Sequence, residues 1–397
     1  MTSRPKKILF IGHSAGRTGA PIILLTFLQW LRRNDDAQFD VRIVEGGPLL
    51  TEFEAIASTE VLQREPAFAA RVARRLMGRS RWSAMEDRLF ARRTQRRGYD
   101  MVYVNTIAPH RDVRALGQTG IPIVCHVHEL DFAMKQWAGK EGLAPLVPCI
   151  AHFIAASVAV RDFLVDRCAV PQHKVTTVHE FITLENEPPD SANARARVRA
   201  SLRLSDDDVL VGACGSLDWR KGADMFLQVA RLTTADARGR NVHFLWLGAH
   251  RTTADYWKFM HDVHACGLDE RVTVIENSSQ PGDFFSAMDI FALTSREDPF
   301  PLVMLEAAAM GLPLVCFEGS GGGPEFADGG AGLIAPYLDA AAFAQHVLSL
   351  AGDHEARRRL GAKATRKVHD QYSQERQAPK LRDVISMVVG SRRAVSK

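Results

Sequence analysis

Short apolar runs bounded by Gly, Asn or Asp recur along the chain, separated by longer stretches whose apolar residues return at helical spacing. The first set falls at residues 8–12, 41–44, 101–105, 123–128 and 153–157. Strands alternating with helices predict a parallel sheet covered on both faces, because each parallel connection must cross over the sheet. The rhythm restarts after the polar segment ENEPPDSANARARVRA, residues 185–200, with runs at 209–214, 244–248, 272–275, 290–294, 314–317 and 332–334. That segment predicts an interdomain linker. The expected fold class is α/β, with two doubly wound parallel-sheet domains at residues 1–184 and 185–373, and a C-terminal helix at 374–397 packing back on the first. Ligands bind at the carboxyl ends of the strands in such sheets, so the site is expected in a cleft between the domains.

One stretch stands out against that background: SREDPFPLVMLEAAAMGLPLV, residues 295–315. It predicts a loop after the strand at 290–294, then a helix with Phe300 or Pro301 in its first turn, running to Met310 and broken by Gly311 and Pro313. Asp298 then lies in the loop and Glu306, in an apolar run, on the helix. Between them the N–H groups of Phe300, Leu302 and Val303 are candidate donors to an anion or a hydroxyl. Spacing alone fits two readings: a ligand site, or a partly exposed Glu306 with Glu297 and Asp298 capping the helix dipole.

Composition narrows the class. The 397 residues, 46% hydrophobic and 24% charged, are those of a globular protein long enough for two cores. A net charge of +4 without aromatic-plus-basic patterning argues against nucleic acid. Six cysteines (Cys125, Cys149, Cys168, Cys214, Cys266, Cys316) without C-x-x-C spacing read as reduced core residues. No run of about 18 apolar residues and no cleavable leader is evident, so the expected location is cytoplasmic.

The stretch from Asp298 through Pro299, Phe300, Pro301, Leu302, Val303, Met304 and Leu305 to Glu306 resembles the acidic–seven–acidic signature of the retaining, nucleotide-sugar-dependent glycosyltransferases with two Rossmann-like domains, the GT-B fold (glycosyl transferases group 1, family 4). FIAASVAVRDFL, GSLDWRKGADMFLQVA, FLWLGA, GLDERVTVIE and GGGPEFADGGAGLIAP follow the order and rough spacing of that family, closely in the second half and loosely in the first. The resemblance implies that Glu306 accepts hydrogen bonds from the ribose hydroxyls of the donor nucleotide and that Asp298 contacts the transferred sugar, with Glu297 as runner-up. Where relatives have Glu-Gly-Phe-Gly, this chain has Asp-Pro-Phe-Pro, and Pro299 and Pro301 cannot donate the N–H groups that glycines would.

Arg220 and Lys221, just past a strand end, suit a diphosphate: the guanidinium offers a planar fork and the ammonium a point charge. A basic turn exposed to solvent is the plain alternative, and family position favours the diphosphate. Ser216 stands where relatives often carry Arg. In the first domain, GHSAGRTGAP turns into a helix at Gly19, resembling the loop by which the family approaches donor phosphate and acceptor; it lacks the G-x-G-x-x-G spacing. HVHEL places His126, His128 and Glu129 at a strand end, the two histidines expected on opposite faces, and by resemblance His128 contacts the donor sugar. His261 and His264 read as surface residues.

Between Arg71 and Arg97 there are ten arginines against only Glu86 and Asp87, with Leu76, Met77, Trp82, Leu89 and Phe90 interleaved. Three readings stay open for this basic amphipathic stretch: a peripheral contact with an anionic membrane surface on the inner face of the cell membrane, a grip on an anionic acceptor, or a solvated face. Taken together, the resemblance implies a retaining hexosyltransferase moving a sugar from a UDP- or GDP-linked donor to a glycan or lipid-linked acceptor, in cell-surface polysaccharide or lipopolysaccharide synthesis. No cofactor and no metal are expected, since no D-x-D motif lies in a suitable loop and Arg220 and Lys221, taken as exposed cations, would meet the diphosphate charge. A non-catalytic nucleotide-sugar-binding relative, or an epimerase or phosphorylase on the same architecture, are the alternatives.

Overall fold

The computed structural model of the chain describes residues 5–62, 75, 78–139, 142–184 and 191–395. The chain divides into two compact units, Met1–His179 with Gln374–Lys397, and Glu180–Ser373. In the first unit β1 (Lys7–Ser14), β2 (Gln38–Glu45), β3 (Ser58–Val61), β4 (Met101–Asn105), β5 (Ile123–Val127), β6 (His152–Ala155) and β7 (Val175–Thr177) form one sheet. Its order is β3-β2-β1-β4-β5-β6-β7, and every pair is parallel. The second unit holds β8 (Val209–Cys214), β9 (Val242–Ala249), β10 (Val272–Glu276), β11 (Ile290–Leu293), β12 (Leu314–Phe317) and β13 (Gly332–Ala335). These pair in parallel in the order β10-β9-β8-β11-β12-β13.

Burial on both faces explains why these strands read as unbroken apolar runs rather than alternating ones. In the second unit Val209, Val211, Phe244, Trp246, Ile290, Ala292, Val315 and Phe317 enter one core. Their immediate neighbours Leu210, Leu245, Phe291, Leu293, Leu314 and Cys316 enter another. Successive side chains point to opposite faces, so each strand must supply apolar residues at every position. The two edge strands β3 and β7 lack that signal, being four and three residues long and at most half-buried, and the apolar pattern does not predict them.

The polar segment read as a linker is in part a helix. Residues 185–190 lie outside the described residues, but Ser191–Ser201 is helical and packs on the helix Pro281–Ala287. Its arginines hold it there. Arg195 bonds the carbonyls of Ser286 and Met288 (2.9 and 3.0 Å) and Asp289 Oδ1 (2.7 Å). Arg199 meets Asp289 Oδ2 at 3.1 Å and the carbonyls of Ser205 and Asp208 at 2.6 and 2.7 Å. The same Asp289 Oδ2 accepts the Leu210 N–H at 2.8 Å, tying the helix to the start of β8. Of the charges in RARVR that suggest a solvated linker, Arg199 is thus a buried clamp and Arg195 a half-buried one, while Arg197 stays exposed.

The helix Gln374–Val395 belongs to the first unit, where Gln374 donates to the Thr26 carbonyl (2.9 Å) and Arg382 lies over the Trp30 ring. All six cysteines are free; Cys125 and Cys316 are buried as expected, whereas Cys266 is exposed. His261 and His264 are exposed. Among the described residues no helix is long and apolar enough to cross a membrane.

In the arginine-rich stretch, residues 71–74, 76 and 77, including Leu76 and Met77, lie outside the described residues, and a helix runs over Arg79–Arg97. Its aromatic residues turn inward: Trp82 and Phe90 are half-buried, and the Phe90 ring stacks on Arg42 at 3.8 Å. Arg81, Arg88, Arg92 and Arg96 are exposed, and their spacing places them on one side of the helix. Among the described residues of the stretch, Leu89, at 43% exposure, is the large apolar side chain exposed beside the arginine stripe.

Asp289→Ala should destabilise the second unit by about 3–5 kcal/mol, because the Arg199 side chain, only 7% exposed, would keep its charge without its carboxylate. Urea denaturation checks this, and a loss below about 1 kcal/mol would show that the clamp is not what fastens the helix.

Candidate functional site

The second unit's strand order changes direction between β8 and β11, the point at which a doubly wound sheet leaves a crevice at its carboxyl edge. Two loops meet there. From the β8 side, Gly222 turns with φ +70°, and any side chain at that position would meet the Thr294 carbonyl oxygen at 2.0 Å. Glycine is thus required for the two loops to approach. Thr294 Oγ1 donates to the Gly222 carbonyl (3.0 Å), and Arg296 N–H donates to the Arg220 carbonyl (2.8 Å).

These contacts bring the predicted charges together. Lys221 Nζ bonds Asp298 Oδ2 at 2.6 Å, and Arg220 stands 3.7 Å from Asp298 Oδ1 while donating to the Glu297 carbonyl at 3.0 Å. Asp298 is 5% exposed and its backbone is pinned on both sides, donating to Ser320 O (2.7 Å) and accepting from Gly322 N–H (3.0 Å). Lys221 is not the exposed cation expected, since its side chain is 16% exposed and already holds a buried carboxylate. Ser216 turns its hydroxyl to Asp218 Oδ2 (2.5 Å), whose other oxygen accepts the Lys221 N–H (2.9 Å), so Ser216 braces the loop.

The helix after β11 begins at Leu302, with Pro301 at the N-cap rather than in the first turn, and ends at Ala309. Phe300 precedes it and is a core residue, 1% exposed and packed on Tyr372 at 5.0 Å. Leu302 and Val303 supply the helix's first two N–H groups, which helix geometry leaves without carbonyl partners one turn back. Glu306 is half-buried, and no described residue offers its carboxylate a hydrogen bond or an ion pair. Burial alone raises its pKa above the ordinary range. Burial, then the Glu306 charge, push the Cys214 thiol at the end of β8 up to about 12, placing the carboxylate beside that strand end.

In the first unit Gly19 is the first residue of the helix Gly19–Asn34, whose N-cap Thr18 makes no side-chain cap bond. His128 lies just past β5, its Nε2 3.0 Å from Asn105 Oδ1. The rings of His126 and His128 are 4.0 Å apart, so the expectation of opposite faces fails; residues two apart on a strand share a face. Glu129 is buried and accepts the N–H groups of Ile107 (3.0 Å) and His128 (2.9 Å). His13, from β1, is held down to about pKa 4 by burial and by the neighbouring His128. Among the described residues no cluster of three His, Cys, Asp or Glu side chains suits a metal ion.

Residues 208–353 match the family described as glycosyl transferases group 1, and residues 18–186 the family described as glycosyltransferase family 4. The chain belongs to these glycosyltransferases. Among curated relatives, the O-antigen biosynthesis glycosyltransferase WclY of Escherichia coli is 28% identical over 123 residues, 31% of this chain and 32% of the relative. The alpha-galactosylglucosyldiacylglycerol synthase of Streptococcus pneumoniae (strain ATCC BAA-255 / R6) is 27% identical over 158 residues, 37% of this chain and 38% of the relative. The chain spans about a third of the length of these relatives. HepE of Anabaena, solved in complex with UDP and glucose, superposes with a TM-score of 0.78 at 18% identity, covering 96% of this chain and 99% of that one. Such a likeness concerns the fold, the two-domain GT-B arrangement of parallel sheets.

In this glycosyltransferase family member, three residues that support the predicted ones, two in the second unit and one in the first, escaped sequence reasoning. Ser320, whose carbonyl pins Asp298, sits in a glycine loop whose quoted motif begins one residue later. Ser295 places its hydroxyl 3.4 Å from Asp298 Oδ2. Asn105 was readable only as the polar end of the apolar run MVYVN.

Because Lys221 neutralises a buried carboxylate, Lys221→Ala should lower stability by about 3 kcal/mol, and adding Asp298→Asn should recover most of that loss. Thermal and urea unfolding of the single and double variants test this. A single variant as stable as the parent would show that Arg220 alone balances Asp298.

Proposed function

We propose that the protein is a retaining, metal-independent glycosyltransferase that moves a hexose from a UDP- or GDP-linked donor to a glycan or lipid-linked acceptor in cell-surface polysaccharide or lipopolysaccharide synthesis. The observation that carries this reading is the pairing of two unlike acids at one strand edge: Asp298 gripped by Lys221, and Glu306 without a partner. A half-buried carboxylate with no donor of its own suits the two hydroxyls of a ribose, which would satisfy what burial leaves unsatisfied. An ammonium has three donors, so Lys221 can hold Asp298 and still meet a phosphate oxygen. The UDP and glucose in the HepE complex support a nucleoside diphosphate sugar as donor, and the likeness to an O-antigen biosynthesis glycosyltransferase and to an alpha-galactosylglucosyldiacylglycerol synthase supports a glycan or lipid acceptor.

In the reaction, an acceptor hydroxyl oxygen bonds the sugar's anomeric carbon on the face from which the diphosphate oxygen leaves. The C–O bond to phosphate breaks, and the hydroxyl proton passes to the departing phosphate oxygen. Asp298 and His128 position the sugar. Arg220, Lys221 and the N–H groups of Leu302 and Val303 stabilise the charge that builds on the diphosphate, each contributing about 2–4 kcal/mol in a water-poor site. Those protein cations take the part a divalent metal plays elsewhere.

Calorimetry with UDP, GDP and their sugars, followed by product analysis with glycan and lipid acceptors, tests this. The parent should bind one nucleotide, transfer with retention, and keep its activity in EDTA. Glu306→Gln should fold but bind that nucleotide about ten- to hundredfold more weakly, the loss of about 1.5–3 kcal/mol expected for a charge-assisted bond. Activity abolished by EDTA and restored by magnesium or manganese would refute metal independence. Nucleotide binding without transfer to any acceptor would favour a non-catalytic relative, and unchanged affinity in the variant would remove Glu306 from the site.

The outward stripe Arg81, Arg88, Arg92 and Arg96 supports a second element of the reading, a peripheral contact with the anionic inner face of the cell membrane, made by charge rather than by inserting aromatic residues. Each arginine near such a surface contributes about 1 kcal/mol. Vesicles rich in phosphatidylglycerol should retain the parent at low salt and release it when all four are replaced by Gln; equal retention of both proteins, or none of the parent, would leave the stripe as solvated surface or an acceptor grip.

A further inference from the structure

The two cations proposed for the diphosphate, Arg220 and Lys221, are the central residues of one tight turn. Its ends are Trp219 and Gly222, closed by the Gly222 N–H on the Trp219 carbonyl at 3.2 Å. Connecting segments of this kind are mobile unless something holds them. Arg296, in the loop after β11, holds this one at three points. Its backbone N–H donates to the Arg220 carbonyl at 2.8 Å. Its Nη1 donates to the Trp219 carbonyl (2.9 Å) and to Asp224 Oδ1 (2.7 Å), and its Nη2 to Asp224 Oδ2 (2.7 Å). Asp224 is the second residue of the helix Ala223–Ala235, into which the turn runs. A fork of two parallel bonds to one carboxylate fixes direction as well as distance. The guanidinium also lies over the Trp219 ring, 5.1 Å from its centre.

We propose that Arg296 is a positioning residue for the diphosphate cations: it locks the turn 219–222 so that the Lys221 ammonium reaches Asp298 and Arg220 stands beside it, both presented to the donor. The proposal rests on the reading that Arg220 and Lys221 meet the diphosphate, and deepens it. Unequal burial separates this role from that of a stabilising ion pair. The Arg296 side chain is 10% exposed, whereas that of Asp224 is 59% exposed. A carboxylate so open to water is hydrated with or without its cation, so the pair itself contributes little to folding. Its geometry is nonetheless firm: the hydrogen bonds from Arg296, then its charge, hold the Asp224 carboxyl below its ordinary range against the effect of burial. Both Nη1 hydrogens and one on Nη2 are spent on the turn and its helix. The guanidinium therefore directs the neighbouring cations rather than meeting phosphate itself. Lysine could not take its place, since an ammonium is a point charge without a planar fork.

A double-mutant cycle in urea tests the coupling without any ligand. Arg296→Met removes the clamp and leaves behind only a hydrated acid, so the second unit should stay folded. If the clamp delivers Lys221 to Asp298, the stability lost on Lys221→Ala should shrink by about half or more in the Arg296→Met background, as for residues coupled in one network. Additive losses would overturn the proposal, because Lys221 would then reach Asp298 without Arg296. Should Arg296→Met fail to fold, Arg296→Lys, which keeps the charge and loses the fork, enters the cycle under the same criterion. Calorimetry then reads the positioning itself. With UDP or GDP, whichever the parent binds, Arg296→Met should weaken the diphosphate about tenfold and the matching nucleoside less than about twofold, the difference expected when only hydrogen bonds to charged groups are lost. Asp224→Asn, which leaves an acceptor facing the fork, should fall between parent and Arg296→Met. Equal losses for nucleotide and nucleoside, or none for either, would also overturn the proposal. A parent that binds neither nucleotide would defeat the functional reading, while the urea cycle would still decide whether Arg296 holds the turn.

Discussion

The 2.6 Å contact between Lys221 and Asp298 governs the second unit's carboxyl edge. A carboxylate as buried as Asp298 cannot stay charged there without a cation, and the cation cannot reach it unless the loops after β8 and β11 touch. Gly222 makes that possible, since its left-handed φ and missing side chain let it lie against the Thr294 carbonyl. The backbone bridge from Asp298 to the glycine loop after β12 then fixes the carboxylate from the far side, with Gly321 at φ +115°. Three strand ends are thus stitched together around one ion pair. Whatever binds here meets a cation already oriented, with little side-chain entropy left to lose.

Parallel pairing imposes the larger frame. Both faces of each sheet are covered, so the interior strands are apolar throughout and polar residues collect where strands end. Asn105, His128, Arg220, Lys221 and Asp298 all lie at or just beyond the carboxyl ends of strands. The chemistry gathers there because the same burial that makes the strands leaves nowhere else for it.

That frame accounts for what could be read in advance. The runs MVYVN, VLVGAC and LVCF become strands with the expected bounds, since a continuous apolar run is what a doubly covered strand requires. The edge strands β3 and β7 could not be seen, because they are short and half-exposed and carry no such run. Ser191–Ser201 was missed for the opposite reason: Arg195 and Arg199 look solvated in sequence, and it is the Asp289 carboxylate nearly a hundred residues away that draws these two in. Of the candidate site, spacing and resemblance singled out Asp298, Glu306, Arg220 and Lys221. Their pairing was not legible, because sequence gives no sign that Lys221 and Asp298, 77 residues apart, spend their charges on each other.

Three acids near strand ends show why pairing matters more than identity. Asp298 is satisfied by a cation, Glu129 by two backbone N–H groups, and Glu306 by neither. Burial raises the pKa of both Glu129 and Glu306, but only for Glu129 do His128 and hydrogen bonds pull it back. An acid that the fold desolvates without compensating is a cost to the empty protein and a gain on binding, since hydroxyl donors then replace what water only partly supplied. Glu306 also lies one turn into the helix that Leu302 opens, close enough to the end of β8 for its charge to act on the Cys214 thiol. In the proposed reading the unsatisfied acid takes the ribose hydroxyls and the satisfied pair the phosphates, so the two kinds of acid divide one ligand between them.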